Sequence, residues 1–118
     1  MGQFRVVLIV YPRTGEGPQS LGILVHSGAA YSVMPRVLLE AWGCWPRRMQ
    51  RVVFADGRAE DWPLTEIEVG YEDRRATTTT LMGPAGSATL LGAITLQGLG
   101  FVVDPVNHRL VPVDAVLV

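Results

Sequence analysis

The chain has 118 residues, of which 48% are hydrophobic and 18% charged, and its 10 basic and 11 acidic side chains give a formal net charge of −1. This length fits one domain, and we assign residues 1–118 to it. The composition excludes a disordered tail and argues against a nucleic-acid partner, which would require a basic excess. A single cysteine excludes an intrachain disulfide and a CxxC metal site. The apolar runs are too short for a membrane span and lack a signal-peptide pattern, so we expect a cytoplasmic protein without a membrane partner.

Short strands dominate the first half of the chain. β-Branched residues favour a strand at Phe4–Tyr11, and after a loop containing glycine and proline a second strand is predicted at Ser20–Val25. A short helix is predicted at Pro35–Trp42, because proline suits a first helical turn and a glycine follows the last residue. Gln50–Ala55 is predicted as a strand that ends in a tight Asp56-Gly57 turn.

The second half continues this pattern. Strands are predicted at Glu60–Gly70 and Arg75–Met82, a short helix at Ala93–Leu99, and a hairpin from Phe101–Asp104 and Arg109–Val113. The whole chain is therefore predicted to be mainly β with one or two short helices, which is compatible with a small closed barrel.

Two glycine-containing segments, residues 23–33 (ILVHSGAAYSV) and 88–96 (ATLLGAITL), are similar to motifs of the retropepsin-like aspartic proteases. In that family an apolar strand runs into Asp-Ser/Thr-Gly-Ala, and an Ile/Leu-Leu-Gly run later opens a short helix. Residues 53–57 stand where the family has its flap hairpin, and residues 81–84 precede the Leu-Leu-Gly run as in many members. Residues 99–107 look like bacterial members. The resemblance implies a single-lobe acid-protease fold with a closed β-barrel.

The family's chemistry implies a homodimer and no cofactor or metal. Two carboxylates share one proton, because like charges about 3 Å apart cannot both ionise. One acts as a base toward water and the other as an acid toward the peptide carbonyl oxygen. A chain with one such motif supplies one carboxylate, so a second copy must supply the other across a two-fold axis. The apolar ends, residues 4–10 and 113–118, are candidates for an intersubunit sheet, and residues 116–118 are predicted to dock against a surface.

The chain departs from the motif at position 26, where His26 stands in the place of the aspartate. Two imidazoles cannot reproduce a carboxylate pair that shares one proton, and two imidazolium ions side by side would repel each other. We therefore expect peptidase activity to be absent or very low. Three interpretations stay open: a natural pseudo-protease that keeps the groove, an introduced active-site substitution, and recruitment of His26 for other chemistry such as metal binding.

The resemblance assigns the candidate site. The catalytic positions are His26, Ser27 and Gly28, with the Ser27 hydroxyl bonding across the dimer and Gly28 giving the substrate backbone close access. The candidate substrate-binding residues are Ala29, Ala30, Phe54, Ala55, Asp56, Gly57, Ser87 and Ala88. Trp62 is predicted to pack in the interior, with a contact to the flap hairpin as the alternative. The partner would be a peptide or an unfolded protein that is cleaved; the second hypothesis is a peptide-binding module without catalysis, and a third is a β scaffold without a groove function.

Overall fold

The fold was examined in a computed structural model that describes residues 3–117. The strands are β1 (Phe4–Tyr11), β2 (Gln19–Val25), β3 (Ser32–Pro35), β4 (Arg48–Val53), β5 (Ala59–Tyr71), β6 (Arg74–Gly83), β7 (Leu90–Leu91), β8 (Phe101–Asp104) and β9 (Arg109–Pro112). The helices are α1 (Arg36–Ala41) and α2 (Ala93–Leu99). The prediction of a mainly β chain with two short helices is confirmed.

The main sheet has seven strands in the order β1-β2-β7-β3-β6-β5-β4, and β1 also pairs with β5. Most neighbours are antiparallel, but β2 runs parallel to β7 and β3 runs parallel to β6. The parallel pair of β2 and β7 is the part of the sheet that matters for the site. It places Val25 opposite Leu91, so the two glycine-containing segments leave the sheet side by side.

The register of the strands follows the alternation of side chains between the two faces of a sheet. Leu8 and Val10 of β1, Ile23 of β2, and Ile67 and Val69 of β5 are fully buried. They form one core with residues of α1, α2, β6 and β8. A second, smaller apolar cluster of Val33, Trp62, Leu64 and Leu81 lies where the β4–β5 hairpin meets β3 and β6.

The strand β3 is absent from the predicted elements. Ser32, Val33 and Met34 are all buried, so the segment lacks the polar and apolar alternation that marks a half-exposed strand. It pairs with β6 on one side and β7 on the other, and both neighbours are distant in sequence. Its extended conformation is therefore set by tertiary pairing, which a local pattern does not reveal.

The hairpin of β8 and β9 forms a separate two-stranded sheet, in agreement with the prediction. Its turn is organised by Asp104, whose carboxylate accepts hydrogen bonds from the backbone N–H groups of Val106 and Asn107 and from the side chains of Asn107 and Arg109. These donors, the Asn107 side chain foremost, lower the pKa of the Asp104 carboxyl. The turn is therefore held by an ionised carboxylate throughout the neutral and mildly acidic range.

The end of the described tail is exposed on this copy of the chain, and its docking against a surface stays a prediction. Val116 is 79% exposed and Leu117 is 95% exposed, and Val118 lies outside the described residues. The Val113 backbone N–H still donates to the Gly100 carbonyl at 3.0 Å, so it is the side chains of Val116 and Leu117 that lie in water in one copy. No helix within residues 3–117 is long and apolar enough to cross a bilayer.

Helix α2 ends at Gly100, which adopts the left-handed conformation with φ of 79° and leaves the terminal carbonyl groups without helical partners. Arg74 compensates: its guanidinium donates to the Gly100 carbonyl at 2.6 Å and to that of Leu99 at 3.4 Å, and it stacks 5.1 Å from the centre of the Phe101 ring. The start of β6 thus holds the end of the helix that follows the Leu-Leu-Gly run.

We expect Arg74→Met to lower the free energy of unfolding by about 1–2 kcal/mol, because it removes the charged donor and the contact with the ring while keeping an apolar stem. Chemical denaturation measures this. The matched control is Arg36→Met, which removes only an exposed ion pair with Glu40 within α1 and should cost a few tenths of a kcal/mol. Equal effects of the two substitutions would contradict this role of Arg74.

Candidate functional site

The candidate loop begins at His26, directly after β2. The His26 backbone N–H donates to the Leu91 carbonyl at 3.0 Å, which extends the pairing of β2 and β7 by one residue. The His26 carbonyl accepts from the Ala29 N–H at 3.0 Å and closes a tight turn through Ser27 and Gly28. The backbone of residue 26 therefore joins the strand to the turn, whatever its side chain.

Three consecutive backbone N–H groups at the start of α2 donate hydrogen bonds to the loop that follows His26. The N–H of Gly92 donates to Ser32 Oγ at 3.0 Å, that of Ala93 to the Ala29 carbonyl at 2.8 Å, and that of Ile94 to the Ala30 carbonyl at 3.0 Å. These groups lie at the start of α2, where the first N–H groups have no partner within a helix. Helix α2 thus satisfies its own N-terminus by holding the loop after His26.

A chain of buried hydroxyl groups continues this connection into the core. The hydroxyls of Ser32 and Thr95 share a hydrogen bond of 2.6 Å, and those of Thr95 and Thr78 share one of 2.8 Å. All three side chains are buried, so each hydroxyl depends on these partners. The network connects β3, α2 and β6 behind the candidate loop.

The two motif glycines differ in the space around them. A Cβ at Gly92 would lie 2.5 Å from the carbonyl carbon and oxygen of Tyr31 and 2.9 Å from the Ala29 oxygen, all of which are backbone atoms. A Cβ at Gly28 would meet only the His26 ring, at 3.5 Å from Cε1. The close approach of α2 to the loop therefore requires glycine at 92, whereas Gly28 has room within one copy of the chain.

The His26 imidazole is half-buried and is held at one edge by a hydrogen bond. Its Nδ1 accepts a hydrogen bond of 2.9 Å from the Gln3 side-chain amide, and its Cε1 and Nε2 lie over Gly28. The ring therefore has a defined orientation at the mouth of the turn.

A cavity of about 890 Å³ lies beside this loop, and the β4–β5 hairpin forms its opposite wall. Of the candidate residues, the cavity is lined by His26, Gly28, Ala29, Ala30, Phe54, Ala55, Ser87 and Ala88. The residues that the resemblance assigns from three separate segments are therefore brought to one cavity. Its size is in the usual range for a ligand site.

The other three candidate residues lie elsewhere. Ser27 lines a smaller cavity of about 320 Å³ on the far side of His26, together with Gln3, Phe4 and Val103. Asp56 and Gly57 form the exposed tip of the hairpin and do not line the larger cavity.

The hairpin tip is a tight turn, in which Gly57 has φ of 89° and donates its N–H to the Phe54 carbonyl at 2.9 Å. Asp56 accepts hydrogen bonds from the Arg58 backbone N–H and then from its guanidinium, and both lower the pKa of the Asp56 carboxyl. A depressed pKa means that the ionised turn persists at mildly acidic pH and is lost only as the pH falls through that lower value.

Several residues of the cavity wall are missing from the candidate set. They are Tyr31, Val33, Gln50, Arg51, Val52, Val53, Glu60, Trp62, Leu81, Pro84 and Leu90. The even positions of the hairpin strands, Gln50, Val52, Glu60 and Trp62, share one face, and alternation in a hairpin adjacent to the motif could have identified them. Trp62 fits both predictions, because it is buried and also lines the cavity.

No three His, Cys, Asp or Glu side chains within residues 3–117 come together as a metal site would require. The absence of a metal or cofactor stays a prediction.

No protein-family model matches this sequence, and no curated protein is significantly similar to it.

A solved structure with a similar fold is that of EIAV protease complexed with the inhibitor HBY-793. The two chains superpose with a TM-score of 0.61 at 17% sequence identity, and the match covers 93% of each. At this identity the likeness concerns the fold, which is retropepsin-like.

The glycine environments predict opposite outcomes for the same substitution at the two motif glycines. We expect Gly92→Ala to destabilise the chain by at least about 3 kcal/mol, because the new methyl group meets backbone that cannot move away. Gly28→Ala should change the free energy of unfolding by less than about 1 kcal/mol, since only the edge of a side chain is near. Thermal and chemical unfolding measure both. A mild Gly92→Ala variant would contradict the close packing of α2 on the loop.

Proposed function

We propose that this chain is one subunit of a homodimeric retropepsin-like aspartic peptidase site, in which His26 occupies the position of the catalytic aspartate. In this proposal the groove binds an extended peptide, and hydrolysis is absent or very weak. The observation that carries the proposal is the position of the turn after β2, where His26, Gly28 and Ala29 line a large cavity under a β-hairpin in a retropepsin-like fold. The pairing of β1 with β5 supports the closed barrel that the resemblance implies.

An extended peptide suits the shape and lining of the cavity. One wall is the backbone-rich turn at Gly28 to Ala30, another is the loop at Ser87 and Ala88, and the hairpin with Phe54 faces them. Small side chains leave the backbone of these walls accessible to the main chain of a ligand. Apolar side chains between the walls offer contacts to the ligand's side chains.

The site is incomplete in one copy of the chain. Peptide hydrolysis by this route needs a base for water and an acid for the carbonyl oxygen, and one turn supplies one such position. A second copy related by a two-fold axis would supply the other. The exposed apolar residues of the β8–β9 hairpin and the tail, Val102, Val113, Val116 and Leu117, support such a partner, because a monomer would leave them in water.

The imidazole at position 26 explains the expected loss of hydrolysis. A carboxylate pair holds one shared proton between four oxygen atoms, whereas each neutral imidazole has one acceptor nitrogen. Here Nδ1 already forms a hydrogen bond with the Gln3 side-chain amide. One of the two nitrogen atoms of the ring is therefore engaged by the protein, which supports the expected loss of hydrolysis.

The second candidate function is a peptide-binding module with no catalytic role. The contact between Gln3 and His26 favours it, because it gives the ring a structural partner rather than leaving it free for chemistry. Both candidate functions use the same groove. They differ in whether a carboxylic acid at position 26 would give the site hydrolytic activity.

We expect His26→Asp to convert the chain into an active peptidase that cleaves an unstructured protein substrate at mildly acidic pH, where one of the two carboxyl groups is protonated. Cleavage is followed by gel electrophoresis and by mass spectrometry of the products. The control is His26→Asn, which matches aspartate in shape but does not ionise and should remain inactive. A folded, dimeric His26→Asp variant that cleaves nothing would favour the binding-module function.

The dimer is tested by the mass of the chain in solution. Analytical ultracentrifugation of the unmodified chain should give twice the monomer mass, and the double variant Val116→Asp, Leu117→Asp should shift it toward the monomer by placing charges in an apolar interface. The control is Val37→Asp on α1, which changes a residue that is 74% exposed and should leave the dimer intact. A monomer at all concentrations of the unmodified chain would contradict the two-subunit site.

A further inference from the structure

A second cavity of about 290 Å³ adjoins the large one at Tyr31, which lines both. The alternation of side chains along β5 shows how the two cavities are connected. Trp62, Leu64 and Glu66 are alternate residues of this strand and share one of its faces. Trp62 lines the large cavity, whereas Leu64 and Glu66 line the second one. The second cavity therefore continues the sheet face that forms the wall of the groove, on the other side of Tyr31.

Two neighbouring arginines line the second cavity, and only one of them has an acidic partner. Arg47 forms an ion pair with Glu66, in which Nη2 lies 3.4 Å from Oε1. Within residues 3–117, Arg48 forms no ion pair with a carboxylate. The charged residues of the lining are these two arginines and Glu66. The second cavity thus carries the positive charge of Arg48 without an acid of the same lining to offset it.

Neutral oxygen atoms hold the Arg48 guanidinium in place. Its Nη1 donates to Gln50 Oε1 at 2.6 Å and to the Met49 carbonyl at 3.2 Å, and its Nη2 donates to the Tyr31 hydroxyl at 3.4 Å. These bonds use three of the five N–H groups of a guanidinium. The N–H of Nε and one N–H of Nη2 remain for an acceptor that the described part of the chain does not supply. Arg48 is therefore oriented but not neutralised.

The acidic residue of the large cavity does not compete for Arg48. Glu60 Oε2 accepts from Arg58 at 3.0 Å, and Glu60 Oε1 accepts from Trp62 Nε1 at 2.9 Å. Glu60 and Glu66 are the acidic residues that line the two cavities, and an arginine other than Arg48 pairs with each. A carboxylate of a bound molecule would therefore meet Arg48 without a competitor from the cavity walls.

We infer that Arg48 is a binding residue for a carboxylate, so that the second cavity selects a peptide with an acidic group just beyond the segment held in the groove. The inference rests on the proposed function, since it adds a second recognition site to the peptide groove. An arginine pairs with a carboxylate through two N–H groups, and two remain on Arg48. Tyr31 and Gln50 are positioning residues that orient the guanidinium. Because Arg48 is exposed, we expect the preference of a surface ion pair, which is a few-fold.

The experiment compares dye-labelled peptides with blocked ends that carry one Glu or one Gln, at a position that is moved along the peptide. Fluorescence anisotropy measures their affinity for the unmodified chain, which is expected to bind without cleaving. At an outer position the Glu peptide should bind about three- to fivefold more tightly than the Gln peptide, as an exposed ion pair allows. Salt at about 1 M should remove this difference, because screening then acts over about 3 Å.

A further peptide separates the two sources of a carboxylate. It carries Gln at the outer position and an unblocked C terminus. Tighter binding of this peptide than of its blocked form identifies a terminal carboxylate as the group that Arg48 accepts. A difference confined to the Glu and Gln pair identifies an acidic side chain. Either result supports the inference, because the chemistry at Arg48 is the same.

Arg48→Met should reduce the difference between Glu and Gln peptides to less than about twofold, whereas Arg48→Lys keeps the charge without the planar fork and should retain a smaller difference. Gln50→Glu gives Arg48 an acidic partner within the chain and should also abolish the preference while the arginine stays in place. The matched control is Arg5→Met, which removes the same charge from an exposed position on β1 outside both cavities. It should leave the preference unchanged.

The outcomes separate this inference from the proposed function. A chain that binds the blocked Glu and Gln peptides equally at every position, and the unblocked peptide no better, overturns the inference alone. So does a preference that survives Arg48→Met, or one that is lost only in Arg51→Met, since Arg51 lines the large cavity and not the second one. Failure of the unmodified chain to bind any of the peptides overturns the proposed function as well.

Discussion

The candidate site depends on the contact between the start of α2 and the loop after His26. Three successive N–H groups from Gly92 to Ile94 lie at the start of the helix and have no helical acceptors, and they donate to the Ser32 hydroxyl and to the carbonyls of Ala29 and Ala30. Each set satisfies the other, which removes the cost of leaving buried backbone groups unpaired. The contact is possible only because residue 92 has no side chain, so one glycine fixes the position of the loop, the helix and the cavity wall together.

Much of this arrangement was predictable, and the rest was not, for physical reasons. The strands with alternating burial, such as β1 and β2, and the helix at Ala93–Leu99 follow from local patterns. The strand β3 does not, because it is buried on both faces and owes its conformation to distant partners. The docking of Val116 and Leu117 stays a prediction, since an apolar pattern identifies a surface that avoids water but not the molecule that covers it.

The residues of the candidate site were likewise predicted only in part. Motif order assigned the turn at His26, the hairpin at Phe54 and the loop at Ser87 and Ala88, and the fold brings these segments to one cavity. Trp62 was assigned to packing, with a contact to the flap hairpin as the alternative, because a tryptophan in a strand is typical of a core. Glu60 was not among the candidates, because a glutamate in a hairpin is typical of a solvated face. Their pairing has meaning only after the hairpin is folded and both residues are on the cavity side.

The identity of residue 26 is largely separate from the forces that fold the chain. Its backbone N–H and carbonyl make the bonds to Leu91 and Ala29, and any residue other than proline supplies both groups. Its side chain contacts the Gln3 amide and lies over Gly28, both at the surface of the turn. Chemistry and fold are therefore carried by different atoms of the same residue, so an imidazole can occupy this position while the loop, the helix and the groove keep their geometry. The Trp62 contacts and the Gly92 packing do not involve the imidazole, so under the proposed function a loss of hydrolysis at position 26 does not require a loss of peptide binding.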